Sequence, residues 1–208
     1  MNDFAQFPVT FTIIGITVLI SFIAFNNAAL RNKALFYPYG MQGGFKQYYR
    51  FLSHGFIHAD YIHLFFNMFT LYQFGESIEE VILFNKTQYI LLYLTALVAS
   101  SLFDFVKQKN NSGYAALGAS GAVSAVLFAS IILGPWDIGV AIFGVLPLPN
   151  IVFAVLYLVY CAYMDKRGGD NIGHGAHLWG SVWGFVFTAL VRPDLFKGFL
   201  EKLMHPNF

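Results

Sequence analysis

Charge is scarce in this sequence. Only 11% of its 208 residues are Asp, Glu, Lys or Arg, against 57% hydrophobic ones, whereas a soluble domain carries roughly 25% charge. The net charge is +1 and no run of like charge or basic stripe occurs, so the electrostatic footprint of a nucleic-acid binder is missing. Cysteine is nearly absent: Cys161 stands alone, which excludes an internal disulfide and gives no thiolate cluster for a structural metal. It reads as a helix or lipid contact. No Lys or Arg precedes the first apolar run, where Asp3 stands instead, so the cationic start of a secretory signal is lacking and the run reads as a retained helix. No His-Glu-x-x-His pattern occurs, and neither a metal nor a cofactor is expected.

What the chain has instead is long apolar runs, with a mean hydropathy of +0.59. No small aqueous core could absorb them, so lipid is the expected solvent. The expectation is an all-α, polytopic membrane protein: one domain over 1–208, a six-helix bundle with helices at about 9–26, 58–76, 87–106, 118–133, 149–164 and 173–191. Gly134-Pro135 cuts the fourth helix short of the roughly 20 residues a full crossing takes, so its start can lie below the membrane surface. Residues 136–148 read as an interfacial loop, Pro149 as the first residue of the fifth helix, and Asp165 to Asp170, with Gly168 and Gly169 inside it, as an exposed loop. An aromatic content of 19% suits interfacial belts.

Polar groups inside such helices are costly and therefore functional candidates. His63 and Asn67, four apart, share one helical face. Ser120 lies in Gly118-Ala119-Ser120-Gly121 at the opening of a helix, where the first N–H groups lack helical partners and can stabilise an oxyanion. A hydroxyl needs a positioned base to become a nucleophile, and His177 is the histidine well inside an apolar late helix. His58 reads equally as an anchor of the first loop and as a member of the site's hydrogen-bond network, and His54 as a loop-packing residue. His174, three before His177, has the spacing of a metal pair, but His58 and His63, five apart, share no face that could complete it.

These residues carry a resemblance. His58-Ala59-Asp60-Tyr61-Ile62-His63-Leu64-Phe65-Phe66-Asn67, then Gly118-Ala119-Ser120-Gly121, then Ala176-His177-Leu178-Trp179-Gly180 with Gly184 four residues on, resemble the rhomboid family in kind and order. The resemblance implies a Ser–His dyad of Ser120 and His177. It further implies oxyanion stabilisation by His63, Asn67 and the Ser120 N–H, and a close approach of the sixth helix to the fourth through Gly180 and Gly184. Tyr49-Arg50 falls where the family has Trp-Arg, and Glu79 matches a glutamate at the far end of helix two. Family members often place an aromatic four residues after the nucleophile, against the imidazole. Ser124 stands there in this chain, so His177 needs glycine packing or another aromatic.

The implied activity is intramembrane endoproteolysis, with transmembrane protein substrates and lipid as partners and no nucleic acid. The alternatives are a rhomboid-like protein that binds membrane clients without cutting them, and a small transporter lined by buried His and Asn; solute flux in liposomes would mark the latter. The resemblance also implies a bacterial inner membrane location with cytoplasmic termini. Arg31, Lys33, Lys107 and Arg167 then face outward, against the positive-inside rule, but Arg50 belongs to a loop motif and the dyad must open toward water.

Overall fold

The computed structural model describes residues 3–80, 84–142, 146–170 and 172–205. A short turn α1 (Asp3–Gln6) leads into α2 (Pro8–Phe25), where Pro8 sits in the first turn with no N–H to lose. The first loop contains short helices: α3 (Ala28–Ala34), α4 (Pro38–Met41) and α5 (Arg50–Ser53), with single 3-10 turns at Phe45–Gln47 and His54–Phe56. Next come α6 (Tyr61–Glu80), α7 (Lys86–Gln108) and α8 (Ser120–Ile131). Strands β1 (Val140–Ile142) and β2 (Leu146–Leu148) form an antiparallel hairpin pairing Val140 with Leu148, followed by α9 (Asn150–Arg167), α10 (His174–Val191) and α11 (Pro193–Met204).

α8 is the central rod. Gly121 to Ala129 are all buried, as fits a helix apolar on every side, and its 12 residues rise only about 18 Å. Small residues at Gly121, Ala122, Ser124 and Ala125 let α6, α7 and α10 close around it. α9 lies farther out, packing on α10 and α8, and α2 packs on α6. The main core joins Leu71 and Ile78 of α6, Leu92 and Tyr93 of α7, Val126 of α8 and Phe187 of α10.

Polar and apolar residues are distributed as in a lipid-facing protein. Thr10, Thr17, Ser100, Ser181 and Thr188 are buried, while Leu19, Phe65, Phe69, Val155 and Leu190 are exposed. Among the described residues, α2 and α7 are long and apolar enough to cross a membrane by length and composition. Glu79 ties two elements together: its carboxylate accepts from the N–H groups of Val9 and Thr10, at 3.0 and 2.8 Å, and from the Thr10 hydroxyl. It caps the unpaired start of α2.

Four features depart from the sequence expectation. The loop expected at 136–148 contains the hairpin, so the chain is not wholly α; residues 143–145 of that stretch lie outside the described ones. Pro149 is the N-cap of α9 rather than its first residue, because an N-cap needs extended backbone and Pro149 has ψ 138. α9 runs past Met164 to Arg167: Lys166 and Arg167 complement the helix C-terminus, and Gly168 ends it at φ +61. Asp165 is therefore helical and pairs with Lys107 at 2.9 Å. Finally, α11 extends the chain beyond the last expected helix and docks through Lys202 Nζ on the Leu133 carbonyl at 2.6 Å.

Candidate active site

The segment leading to Ser120 is pinned by the first loop at successive points. Phe36 and Ala116 exchange backbone hydrogen bonds at 3.0 and 2.9 Å, and the Gly118 N–H donates to the His54 carbonyl at 2.9 Å. Gly118 has φ +116, a conformation that a side chain resists. The side of Gly118 where a Cβ would project is filled by the His63 ring, with Cε1 2.7 Å from that position. Glycine here serves both the turn and the close approach of His63.

His58 completes the anchoring and its tautomer can be read from its partners. The Ala119 N–H donates to Nε2 at 3.3 Å, which leaves Nδ1 as the donor to Ser21 Oγ at 2.9 Å, and Ser21 in turn donates to the Phe56 carbonyl. The ring, in the loop before α6, is fully buried, and burial pushes His58 down to about 3, helped by the neighbouring His63 and opposed by Asp60. A neutral His58 therefore holds the residue before Ser120.

α6 presents His63 and Asn67 to the same cavity. Asp60 Oδ1 caps the helix by accepting from the His63 N–H at 2.8 Å. Asn67 Nδ2 donates to the His63 carbonyl at 2.9 Å, which leaves its second amide hydrogen for another acceptor.

α10 approaches α8 backbone to backbone. A Cβ on Gly180 would collide with the Gly121 carbonyl, and one on Gly184 with the Ala125 carbonyl. One turn earlier, the Ala176 carbonyl lies 3.3 Å from where a Gly121 Cβ would be. His177 follows Ala176 and Ser120 precedes Gly121, so this contact brings the two side chains to one cavity. That cavity, of about 1260 Å³, is lined by His63, Asn67, Ser120 and His177 among others, and by Gly168 and Gly173 of the loop between α9 and α10.

A family model described as the Rhomboid domain matches residues 46–194. The chain belongs to the rhomboid family. Over 152 residues it is 29% identical to the Rhomboid protease GlpG of Haemophilus influenzae, covering 71% of this chain and 73% of that one. It is 27% identical over 161 residues to RHOMBOID-like protein 12, mitochondrial, of Arabidopsis thaliana, covering 70% of this chain and 47% of that one, so it spans about half the length of that relative. Membership places this rhomboid in a family of multi-pass integral membrane proteins of helical-bundle fold that includes intramembrane serine proteases acting on membrane proteins.

Other sequence candidates of this rhomboid sit farther from the cavity. Arg50 clamps the first loop: Nε donates to Gln47 Oε1 at 2.9 Å, and Nη1 to the carbonyls of Asn32 and Leu35 at 3.0 and 2.6 Å, at the end of α3. Tyr49 donates to the Lys33 carbonyl beside it. Two neighbours of His177 were not among the site candidates: Tyr157, and Cys161, which was expected only as a helix or lipid contact. Tyr157 of α9 stacks on its ring, at 6.4 Å between centroids and 17° between planes, and the Tyr157 hydroxyl lies 3.2 Å from Ser124 Oγ. Cys161, one turn on, lies near both His174 and His177. The signal was the spacing of Tyr157 and Cys161, which places them on one helical face.

Proposed function

We propose that this rhomboid is an intramembrane serine endopeptidase that cleaves transmembrane or juxtamembrane segments of membrane proteins, with Ser120 as nucleophile and His177 as its base. The supporting observation is the glycine-mediated contact of α10 on α8, which directs Ser120 and His177 into one cavity. The Ser120 hydroxyl loses its proton to His177 as its oxygen bonds to the scissile carbonyl carbon. The resulting oxyanion is met by His63, by the free amide hydrogen of Asn67 and by the Ser120 N–H at the unpaired start of α8. His177 then returns the proton to the leaving amine. Water from the cavity repeats the sequence on the acyl-enzyme, again with His177 as base. No cofactor enters these steps.

α2, α6, α7, α8, α9 and α10 are the six spans of this reading, within a single domain over 1–208, in a bacterial inner membrane with cytoplasmic termini. The short α8 supports it, because a nucleophile on the first residue of such a helix lies within the membrane yet in reach of water. α6 and α9 border the cavity with Phe66 and Phe153 and expose Phe65, Phe69 and Val155 on their outer sides. We take the gap between them as the substrate's route from lipid. The bound segment must unwind, since a hydrogen-bonded helix hides its carbonyls.

Reconstitution with a model transmembrane substrate tests the dyad. Ser120→Ala and His177→Ala abolish cleavage, and undiminished cleavage by either variant overturns the assignment. A fluorophosphonate labels Ser120 in the unsubstituted protein and not in His177→Ala. Substrate captured by the unsubstituted protein and never cut would favour the client-binding alternative. Accessibility of cysteines introduced into the loops decides the sidedness.

A further inference from the structure

The dyad leaves two buried groups beside it unused, Cys161 of α9 and His174 at the start of α10. Cys161 is fully buried and its thiol is free. One ligand atom from each of Cys161, His174 and His177 lies within 4.8 Å of the others. The His174 side chain is 4% exposed, and its Nε2 lies 3.0 Å from Asp170 Oδ2. A carboxylate only accepts, so Nε2 carries the hydrogen and Nδ1 keeps a lone pair. That Nδ1 is buried and has no hydrogen-bond partner among the described residues.

A buried polar atom without a partner calls for a physical reason. Here the reason comes from the other side of the ring. Imidazoles that bind metals commonly donate their second nitrogen to a carboxylate, which fixes ring and tautomer, and Asp170 does this for His174. Tyr157 lies one turn before Cys161 on the same face of α9, and its hydroxyl is a donor of the kind a thiolate accepts.

We propose that Cys161, His174 and His177 form a binding site for a thiophilic divalent transition ion such as Zn²⁺, and that its occupation withdraws His177 from Ser120 and so switches cleavage off. One thiolate and two neutral imidazoles leave the fourth tetrahedral position to water, and sulfur with nitrogen selects zinc-like ions over Mg²⁺ or Ca²⁺. Donors around a tetrahedral zinc stand roughly 3.4–3.7 Å apart, given its bond lengths, so the three side chains need close by only about 1 Å. Binding forms the metal–sulfur bond and releases the thiol proton to solvent. Sequence spacing paired His174 with His177 but offered no third donor, because that donor comes from α9.

The inhibitory half rests on the proposed function; the binding half does not. Metal-depleted full-length protein in detergent, titrated with Co²⁺, should bind one equivalent with the thiolate-to-cobalt charge-transfer absorption of a sulfur ligand, and Zn²⁺ should displace it. Ser120→Ala keeps this signal, Cys161→Ala loses it, and His174→Asn weakens binding at least tenfold. In reconstituted protein Zn²⁺ inhibits cleavage, while Cys161→Ala cleaves normally without metal and requires at least tenfold more Zn²⁺ for inhibition. A missing charge-transfer band, or one unchanged in Cys161→Ala, overturns the site. Zn²⁺ inhibition unchanged in Cys161→Ala overturns the switch. Normal Co²⁺ binding by a protein that never cleaves in metal-free buffer supports the site and overturns the dyad instead.

Discussion

The Tyr157 ring lies parallel to the His177 imidazole, 6.4 Å away between centroids, while its hydroxyl reaches Ser124 Oγ at 3.2 Å. The aromatic support absent at position 124 is thus supplied from α9, and the small Ser124 side chain becomes the anchor of that aromatic. Stacked aromatic pairs contribute about 0.5–1.5 kcal/mol beyond burial, enough to bias the orientation of an imidazole.

Tyr157→Leu should lower kcat roughly 2- to 10-fold on this scale with little change in KM, if the ring's part is to position His177. Tyr157→Phe, which keeps the ring and loses the Ser124 contact, should fall between. Steady-state kinetics on a model transmembrane substrate checks both, and equal activity for Tyr157→Leu and unsubstituted protein removes the role.

Gly180→Ala places a methyl on the Gly121 carbonyl, so α10 must shift away from α8. Overpacking of this kind costs about 1–3 kcal/mol, and the same shift moves His177 from Ser120. Both a lowered melting temperature and a loss of turnover out of proportion to the remaining fold are expected. Gly15→Ala, where a Cβ would meet open space, is the control and should change neither.

Asn67→Ala removes one donor to the oxyanion while His63 and the Ser120 N–H remain. Removing one such donor costs roughly 10²–10³ in kcat, and with two further donors left here a loss toward or below the lower end is expected, with KM steady. A mutant that changes KM and leaves kcat alone would mean that Asn67 binds substrate instead.

His58 sets an acid limit. Its folded value is lowered to about 3, whereas the unfolded chain titrates near 6.5, so between these values the unfolded state binds more protons. Stability is full above about pH 6.5 and falls as pH drops toward 3. Thermal unfolding in detergent across that window should show the slope, and His58→Ala should reduce it while lowering stability at neutral pH, leaving the share of His54, which burial lowers to about 4. An unchanged slope in that variant would show that other groups carry it.

Local pattern carried what lies along one stretch of chain. Sustained apolar runs dictate α2 and α7, the four-residue spacing of His63 and Asn67 puts them on one face of α6, and a glycine is required at position 118 by its φ of +116. Helix ends were less legible. Charge at Asp165 to Arg167 resembles a loop in sequence, yet Lys107 across the bundle pairs with Asp165 and holds it in α9.

The approach of α10 to α8 was legible through Gly180 and Gly184, whereas what α9 brings to the site belonged to the tertiary structure alone. Which face of α9 turns toward α10 is set by how side chains interdigitate between helices, not by distance along the chain, so nothing in the sequence joined Tyr157 or Cys161 to His177. The sequence by itself determined a helical membrane protein of the rhomboid kind, with its Ser and His motifs in order. Only the packing of α10 on α8 and α9 decided what surrounds the imidazole, because close contact between rods depends on their rotation and crossing.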